Sequence, residues 1–207
     1  MTAFAGSGVP TTPAIRLNIF MTSPPILHED WSIDSQLEQP IPYVYTFPLL
    51  SPEYCNWLIA EGNKSNKWGF NRKDPYAAFE VDLSDLNPAI DYQNRSVALE
   101  QIGPKLGQLF DWTDPKTVSK CLLIKYQPDH CNKIDMHYDP LSLVSLSISL
   151  NDEYQGGGLT FVSYPNKTIT APKGHAIMFP GNPMFAHEAK PTTAGERYVL
   201  VYWIRSN

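Results

Sequence analysis

The stretch that decides the fold is Val144-Ser-Leu-Ser-Ile-Ser-Leu150, in which apolar and serine side chains alternate strictly. Successive side chains of a strand point to opposite faces, so this pattern predicts a β-strand with one apolar face and one serine face. Further short apolar runs, punctuated by Pro, Gly or Asn, occupy residues 159–163, 168–170, 175–179 and 198–204. Many short strands separated by turns predict a β-sandwich or a barrel.

Helices are predicted only in the part of the chain that precedes these strands. Ser51-Pro52-Glu53 is typical of a helix start, because it supplies an N-cap oxygen, a proline in the first turn and an acid near the N-terminus. Gly62 is the predicted end of this helix. A second apolar face runs from Ser96 to Phe110, and Gly103-Pro104 predicts a break or kink in it. The predicted fold class is therefore α+β, mainly β, with N-terminal helices packed outside a barrel.

Composition narrows the classes of protein to consider. The chain has 207 residues and a net charge of -5, so one domain is expected and nucleic-acid binding is not favoured. We interpret residues 1–40 as an irregular, proline-rich leader that lies along the domain or is partly mobile, and residues 41–207 as the domain. No apolar run approaches the roughly 20 residues that a membrane span needs. The N-terminus has no signal-peptide pattern, which favours a cytoplasmic protein.

A possible metal site begins at His137-Tyr-Asp139, just before the alternating strand. In an extended segment these two side chains point to the same side and could bind one metal ion. His187 is the candidate third ligand, and two His with one carboxylate is the arrangement found in non-haem Fe(II) oxygenases. One alternative is a surface His-Asp pair with an unrelated loop histidine. Another is a zinc site formed by His130 and Cys131 with His137 and Asp139, although no Cys-x-x-Cys knuckle supports it.

Three further features could build a ligand site beside this metal. Arg197 opens the otherwise apolar last strand and could hold a carboxylate with two hydrogen bonds, or could simply reach water at an edge. Tyr126 ends an apolar strand and could add its hydroxyl to the same carboxylate, or could be a core tyrosine. Ser145 and Ser147 on the serine face would make a cavity wall polar, or would face solvent.

Together these residues give the chain a resemblance to a known family. From about residue 47 to residue 207 the chain resembles the Fe(II)/2-oxoglutarate oxygenases of the prolyl and lysyl hydroxylase group, especially the catalytic domain of procollagen lysyl hydroxylases. The order and spacing of several short segments carry the resemblance. These segments are residues 123–128, 137–139, 147–151 with 154–161, 171–174 and 187–198.

The resemblance implies a double-stranded β-helix, also called a jelly roll, with His137, Asp139 and His187 as iron ligands. It also implies that Arg197 pairs with the C5 carboxylate of 2-oxoglutarate and that Tyr126 is its hydroxyl partner. Ser145 and Ser147 would belong to the same cosubstrate site. No catalytic residue beyond the metal site is predicted.

The implied activity is hydroxylation of a lysyl or prolyl residue in a peptide or protein. Fe(II), 2-oxoglutarate and O2 would be required, succinate would be released, and ascorbate is a further candidate cofactor. A homodimer is also expected from this group. The alternatives are hydroxylation of a free amino acid or other small molecule, and a catalytically silent barrel that binds a ligand.

Overall fold

Two antiparallel sheets face each other in the computed structural model of the chain, which describes residues 23–32, 36–70, 78–111 and 114–206. Within these residues the larger sheet has eight strands. Their spatial order is β1 (Glu38–Ile41), β2 (Val44–Pro48), β11 (His175–Pro180), β7 (Val144–Ser149), β14 (Arg197–Arg205), β5 (Thr117–Tyr126), β4 (Phe79–Asp82) and β3 (Gly69–Phe70).

The smaller sheet covers one face of the larger sheet. Its order is β10 (Tyr164–Ile169), β9 (Leu159–Phe161), β12 (His187–Ala189) and β6 (Ile134–His137). A separate ribbon pairs β13 (Thr192–Gly195) with β8 (Tyr154–Gly156). No pairing among the described strands closes the two sheets into a barrel, so the observed arrangement is two facing sheets.

The alternating strand β7 separates the two layers of the core. Its apolar side chains Val144, Leu146 and Ile148 belong to a buried cluster shared with the helices. The opposite layer joins side chains of both sheets, among them Ile124, Val199, Leu159 and Phe161. The serine face of β7 therefore points between the sheets, and Ser145 is fully buried there. Ser145 therefore does not face solvent.

The first helix, α1 (Pro52–Lys64), begins where its sequence predicted. Ser51 accepts a hydrogen bond from the backbone N–H of Tyr54 at 3.0 Å, as an N-cap should. The prediction that Gly62 ends the helix is wrong, because α1 continues to Lys64. Gly62 instead allows close packing: a Cβ there would lie 2.5 Å from Leu123 Cδ2 on β5.

The second helical region is longer and more continuous than predicted. Two short helices, α2 (Leu83–Leu86) and α3 (Pro88–Ser96), lead into a π-helical turn at Val97–Ile102 and then into α4 (Gly103–Leu109). Gly103-Pro104 does not break the helix, since Gly103 has helical torsions and donates its N–H to Ala98. The widened turn accommodates the proline, whose ring would collide with the carbonyl of an ordinary preceding turn.

Part of the segment predicted to be irregular lies against the domain. Leu27 forms a β-bridge with Leu50, and the backbone N–H of Ser51 donates to Ile26 at 2.8 Å. The end of that segment forms β1, which Tyr43 connects to β2 through a turn at φ 62°. Residues 1–22 lie outside the described residues, and the domain boundary at residue 41 stays a prediction. No helix in the described part of the chain has the length and hydropathy to span a bilayer.

Candidate metal centre and adjoining pocket

Strand pairing brings the three predicted metal ligands together. His137 ends β6, His187 begins β12, and the two residues are direct partners in the antiparallel ladder. Asp139 follows His137 by two residues, and its carboxylate Oδ1 lies 3.8 Å from His137 Nε2. One ligand atom from each of the three residues lies within 4.8 Å of the others. Within the described residues this is the one group of three or more His, Cys, Asp or Glu that meets such a criterion.

Backbone carbonyls set the orientation of both imidazoles. His137 Nδ1 lies 2.8 Å from the carbonyl oxygen of Asp135, and His187 Nδ1 lies 3.1 Å from that of Phe185. A carbonyl can only accept, so each Nδ1 carries a proton, and Nε2 is the ring nitrogen available to a metal. Such partners fix the tautomer of metal-binding histidines.

Burial also favours the neutral form of His187. It lowers the pKa of the imidazole to about 4, and the negative charge of Asp139 only partly opposes this effect. A neutral imidazole is the protonation state that can bind a metal. The rings of Phe161 and Phe179 pack around His187, with centroid distances of 5.8 and 4.5 Å.

Ser145 holds the carboxylate of Asp139. Its hydroxyl donates to Asp139 Oδ2 at 2.5 Å, and both residues are buried. The sequence predicted that Ser145 contacts the cosubstrate. In the structure its hydroxyl instead contacts the carboxylate of Asp139. This hydrogen bond leaves Oδ1 as the oxygen that faces His137.

Removal of this hydroxyl gives a first prediction. Ser145→Ala is expected to lower the affinity for a divalent metal about ten- to a hundredfold, the usual effect of losing a partner of a metal ligand. Metal titration followed by calorimetry measures the change. Ser163→Ala is the matched control, because Ser163 is an exposed serine whose hydroxyl donates to the backbone of Met184. Unchanged metal affinity in Ser145→Ala would contradict the assigned role.

A cavity of about 490 Å³ opens beside the three ligands, between the two sheets. Its wall is mostly apolar, with contributions from β5, β14, β9 and β12. The apolar lining includes Leu122, Ile124, Leu159, Ala189, Val201 and Trp203. Tyr138 and Leu141 lie at its border and are 44% and 53% exposed.

A smaller recess contains Arg197 and adjoins this cavity. Ser147 lines both spaces, so the recess lies next to the metal pocket. Ser149, Tyr154, Thr170 and Ile177 also line the recess.

The guanidinium of Arg197 is buried without an acidic partner. Arg197 is 4% exposed, and its Nε and Nη1 have no hydrogen-bond partner. It forms none of the salt bridges in the described part of the chain. Its Cζ lies 4.8 Å from the ring centre of Tyr126, its direct partner across β5 and β14. Burial raises the pKa of Tyr126 to about 12, although the charge of Arg197 opposes the shift, so this hydroxyl stays protonated.

Several residues of the site were not predicted. Tyr154 and Thr170 line the recess, although the sequence assigned neither of them a role in the site. The close approach of Gly157 to Arg197 depends on the tertiary fold, so the sequence alone could not predict it. His130 and Cys131 do not join the three ligands, so the alternative zinc site is not formed.

Comparison with known proteins connects this geometry to a family. The family model described as the 2OG-Fe(II) oxygenase superfamily matches residues 121–205, which include all three ligands and Arg197. The chain is 31% identical over 195 residues to the multifunctional procollagen lysine hydroxylase and glycosyltransferase LH3 of Rattus norvegicus. It is 30% identical over 180 residues to procollagen-lysine,2-oxoglutarate 5-dioxygenase 1 of Homo sapiens. The matches cover 86% and 81% of the chain but only 26% and 24% of these relatives, so the chain spans about a quarter of their length.

Solved structures with low sequence identity share the fold. A prolyl-4-hydroxylase from Pseudomonas putida matches with a TM-score of 0.61 at 17% identity, covering 84% of this chain and 95% of that one. The viral collagen prolyl hydroxylase vCPH from Paramecium Bursaria Chlorella virus-1 matches with a TM-score of 0.58 at 19% identity, covering 80% and 97%. These likenesses confirm the predicted jelly-roll class, mainly β with packed helices.

Proposed function

Since the chain belongs to the 2OG-Fe(II) oxygenases of the prolyl and lysyl hydroxylase group, we propose that it hydroxylates a lysyl or prolyl residue in a peptide or protein. The reaction would consume 2-oxoglutarate and O2 and release succinate. The observation that carries the proposal is a buried guanidinium with two unpaired N–H groups in a recess that adjoins a His-Asp-His cluster.

The donor set fits Fe(II). Two imidazoles and one carboxylate are the donor set of non-haem Fe(II) oxygenases, and these three side chains would hold the metal. Iron, 2-oxoglutarate and O2 supply the oxidising chemistry, and the protein supplies ligand geometry and a shielded pocket. His137, Asp139 and His187 would be the ligands, and Ser145 would keep the Asp139 carboxylate in place.

The charge of the recess suits the distal carboxylate of 2-oxoglutarate. Nε and Nη1 of Arg197 are unpaired, so the guanidinium has free N–H donors that a carboxylate could accept. Tyr126, whose hydroxyl stays protonated, would donate to the same carboxylate. Ser147 lies between the recess and the metal pocket, where the chain of the cosubstrate would pass.

The main cavity is the proposed substrate pocket. Its apolar wall would exclude water around the reacting C–H bond and would contact the aliphatic part of a lysyl or prolyl side chain. Support for a peptide comes from the relatives. Several relatives in sequence are procollagen lysine hydroxylases, and a structural neighbour is a prolyl hydroxylase in complex with a hypoxia inducible factor peptide fragment. Ascorbate, a homodimer and a cytoplasmic location stay predictions.

The first test needs no substrate. Fe(II) and then 2-oxoglutarate are added under anaerobic conditions, and the visible charge-transfer band of the bidentate complex is recorded. A band that saturates with 2-oxoglutarate is expected. Folded protein that binds iron but gives no band would refute the oxygenase proposal and favour a silent ligand-binding domain.

The second test addresses the substrate. Peptides that contain Lys or Pro are compared with free lysine and free proline, and products are analysed for a mass increase of one oxygen atom. We expect the increase in peptides. An increase confined to free amino acids would replace the peptide proposal by the small-molecule alternative.

A further inference from the structure

The unpaired guanidinium of Arg197 requires a second feature that holds it in place. Burial of a charged group without a counter-ion is unfavourable, and such a group would turn towards water or a carboxylate if it could move. Arg197 does neither: it is 4% exposed, and Nε and Nη1 remain unpaired. Its position must therefore be set by contacts other than hydrogen bonds to those two nitrogens.

Two aromatic rings provide such contacts. Arg197 Cζ lies 4.8 Å from the ring centre of Tyr126 and 5.8 Å from that of Tyr154. Cations within about 6 Å of an aromatic ring are attracted by the ring electrons. Tyr154 lies on β8, the strand that pairs with β13 just before Arg197. Its ring thus reaches Arg197 from a different part of the chain than Tyr126 does.

The backbone of Gly157 lies against the side chains of both Arg197 and Tyr154. A Cβ at Gly157 would lie 2.9 Å from Arg197 Cδ, 3.1 Å from Arg197 Nε and 3.1 Å from Tyr154 Cε2. The backbone there cannot retreat easily, because the N–H of Gly157 donates to Pro191 at 2.9 Å. Gly157 has φ +72°, a conformation that other residues rarely adopt. Only glycine allows the backbone to lie directly against the arginine side chain.

We propose that Tyr154 and Gly157 are positioning residues that hold Arg197 where its guanidinium can bind a ligand carboxylate. They thereby make the site select a 2-oxo acid with a carboxylate at both ends. The inference rests on the proposed function, because it concerns the same cosubstrate recess.

The test compares two cosubstrates that differ at the distal end. Affinities for 2-oxoglutarate and for 2-oxovalerate, which lacks the second carboxylate, are measured anaerobically on Fe(II)-loaded protein by calorimetry and by the charge-transfer band. Tyr154→Leu is expected to weaken 2-oxoglutarate binding about five- to tenfold, the size of a partly desolvated cation–π contact. Binding of 2-oxovalerate should stay within about twofold, because it does not use Arg197.

Conservative and control variants separate positioning from general damage. Tyr154→Phe keeps the ring and should retain the wild-type ratio of the two affinities. Gly157→Ala should lower the ratio in the same direction as Tyr154→Leu. Tyr164→Leu, a change at a tyrosine that is 37% exposed on β10, should leave both affinities unchanged.

Two results would overturn the inference. An equal loss for both cosubstrates in Tyr154→Leu would mean that Tyr154 has only a structural role. An unchanged ratio in Tyr154→Leu would mean that Arg197 is held without it. If the wild-type protein bound neither cosubstrate, both the proposed function and this inference would be wrong. If the wild-type protein binds 2-oxoglutarate and only the Tyr154→Leu result disagrees, the inference alone is wrong.

Discussion

Alanine in place of His137 or Asp139 is expected to abolish hydroxylation and to remove stoichiometric iron. The three candidate ligand atoms lie within 4.8 Å of one another, and the described residues contain no other group of three His, Cys, Asp or Glu that meets this criterion. Loss of even an indirect partner of a metal ligand commonly costs ten- to a hundredfold, so loss of a ligand should cost more than about a hundredfold in iron affinity. Iron content after gel filtration and succinate release measure both effects.

A histidine from the other His-x-Asp triplet is a matched control for this experiment. His28 precedes Glu29-Asp30, and its ring lies against His175 rather than near the ligand cluster. His28→Ala should keep wild-type iron content and turnover. Circular dichroism confirms that each variant is folded. Stoichiometric iron together with normal turnover in His137→Ala would exclude this residue as a ligand.

Arg197→Ala is expected to have the second largest effect, on binding of 2-oxoglutarate. A pair of charge-assisted hydrogen bonds contributes very roughly 2–4 kcal/mol, which corresponds to a loss of affinity between about 30- and 1000-fold. Arg197→Lys should recover only part of the loss, since lysine keeps the charge but not the planar fork. The KM for 2-oxoglutarate and the anaerobic titration measure the change.

Arg205, the exposed arginine at the other end of β14, is the control for this substitution. Arg205→Ala should leave the affinity for 2-oxoglutarate unchanged. Iron affinity should also stay near the wild-type value in Arg197→Ala, because Arg197 is not among the ligands. An unchanged KM for 2-oxoglutarate in Arg197→Ala would show that the carboxylate binds elsewhere.

Local patterns in the sequence predicted much of the site. The alternation around Ser145 and Ser147 identified β7 and its two faces, and the buried position of Ser145 matches the polar face. The two-residue spacing of His137 and Asp139 indicated that they lie on one side of an extended segment, and the described geometry agrees. These features follow from strand geometry alone and need no knowledge of the tertiary fold.

Features that depend on strand register could not be predicted. The pairing of His187 with His137 joins residues fifty positions apart, and nothing in either segment specifies the partner. The hydrogen bond from Ser145 to Asp139 and the contact of Gly157 with Arg197 also require tertiary packing. The same is true of Gly62, whose sequence context indicated a helix end although its function is close packing against Leu123.

The position of the ligand cluster has a mechanical consequence. His137 lies on β6, an edge strand of the smaller sheet, whereas Asp139 is tied through Ser145 to β7 in the middle of the larger one. A metal ion bound here would link β6 of the smaller sheet to β7 of the larger sheet. A ligand that binds only the folded state stabilises that state. Bound iron would therefore stabilise the pairing of the edge strand β6, in addition to supporting turnover.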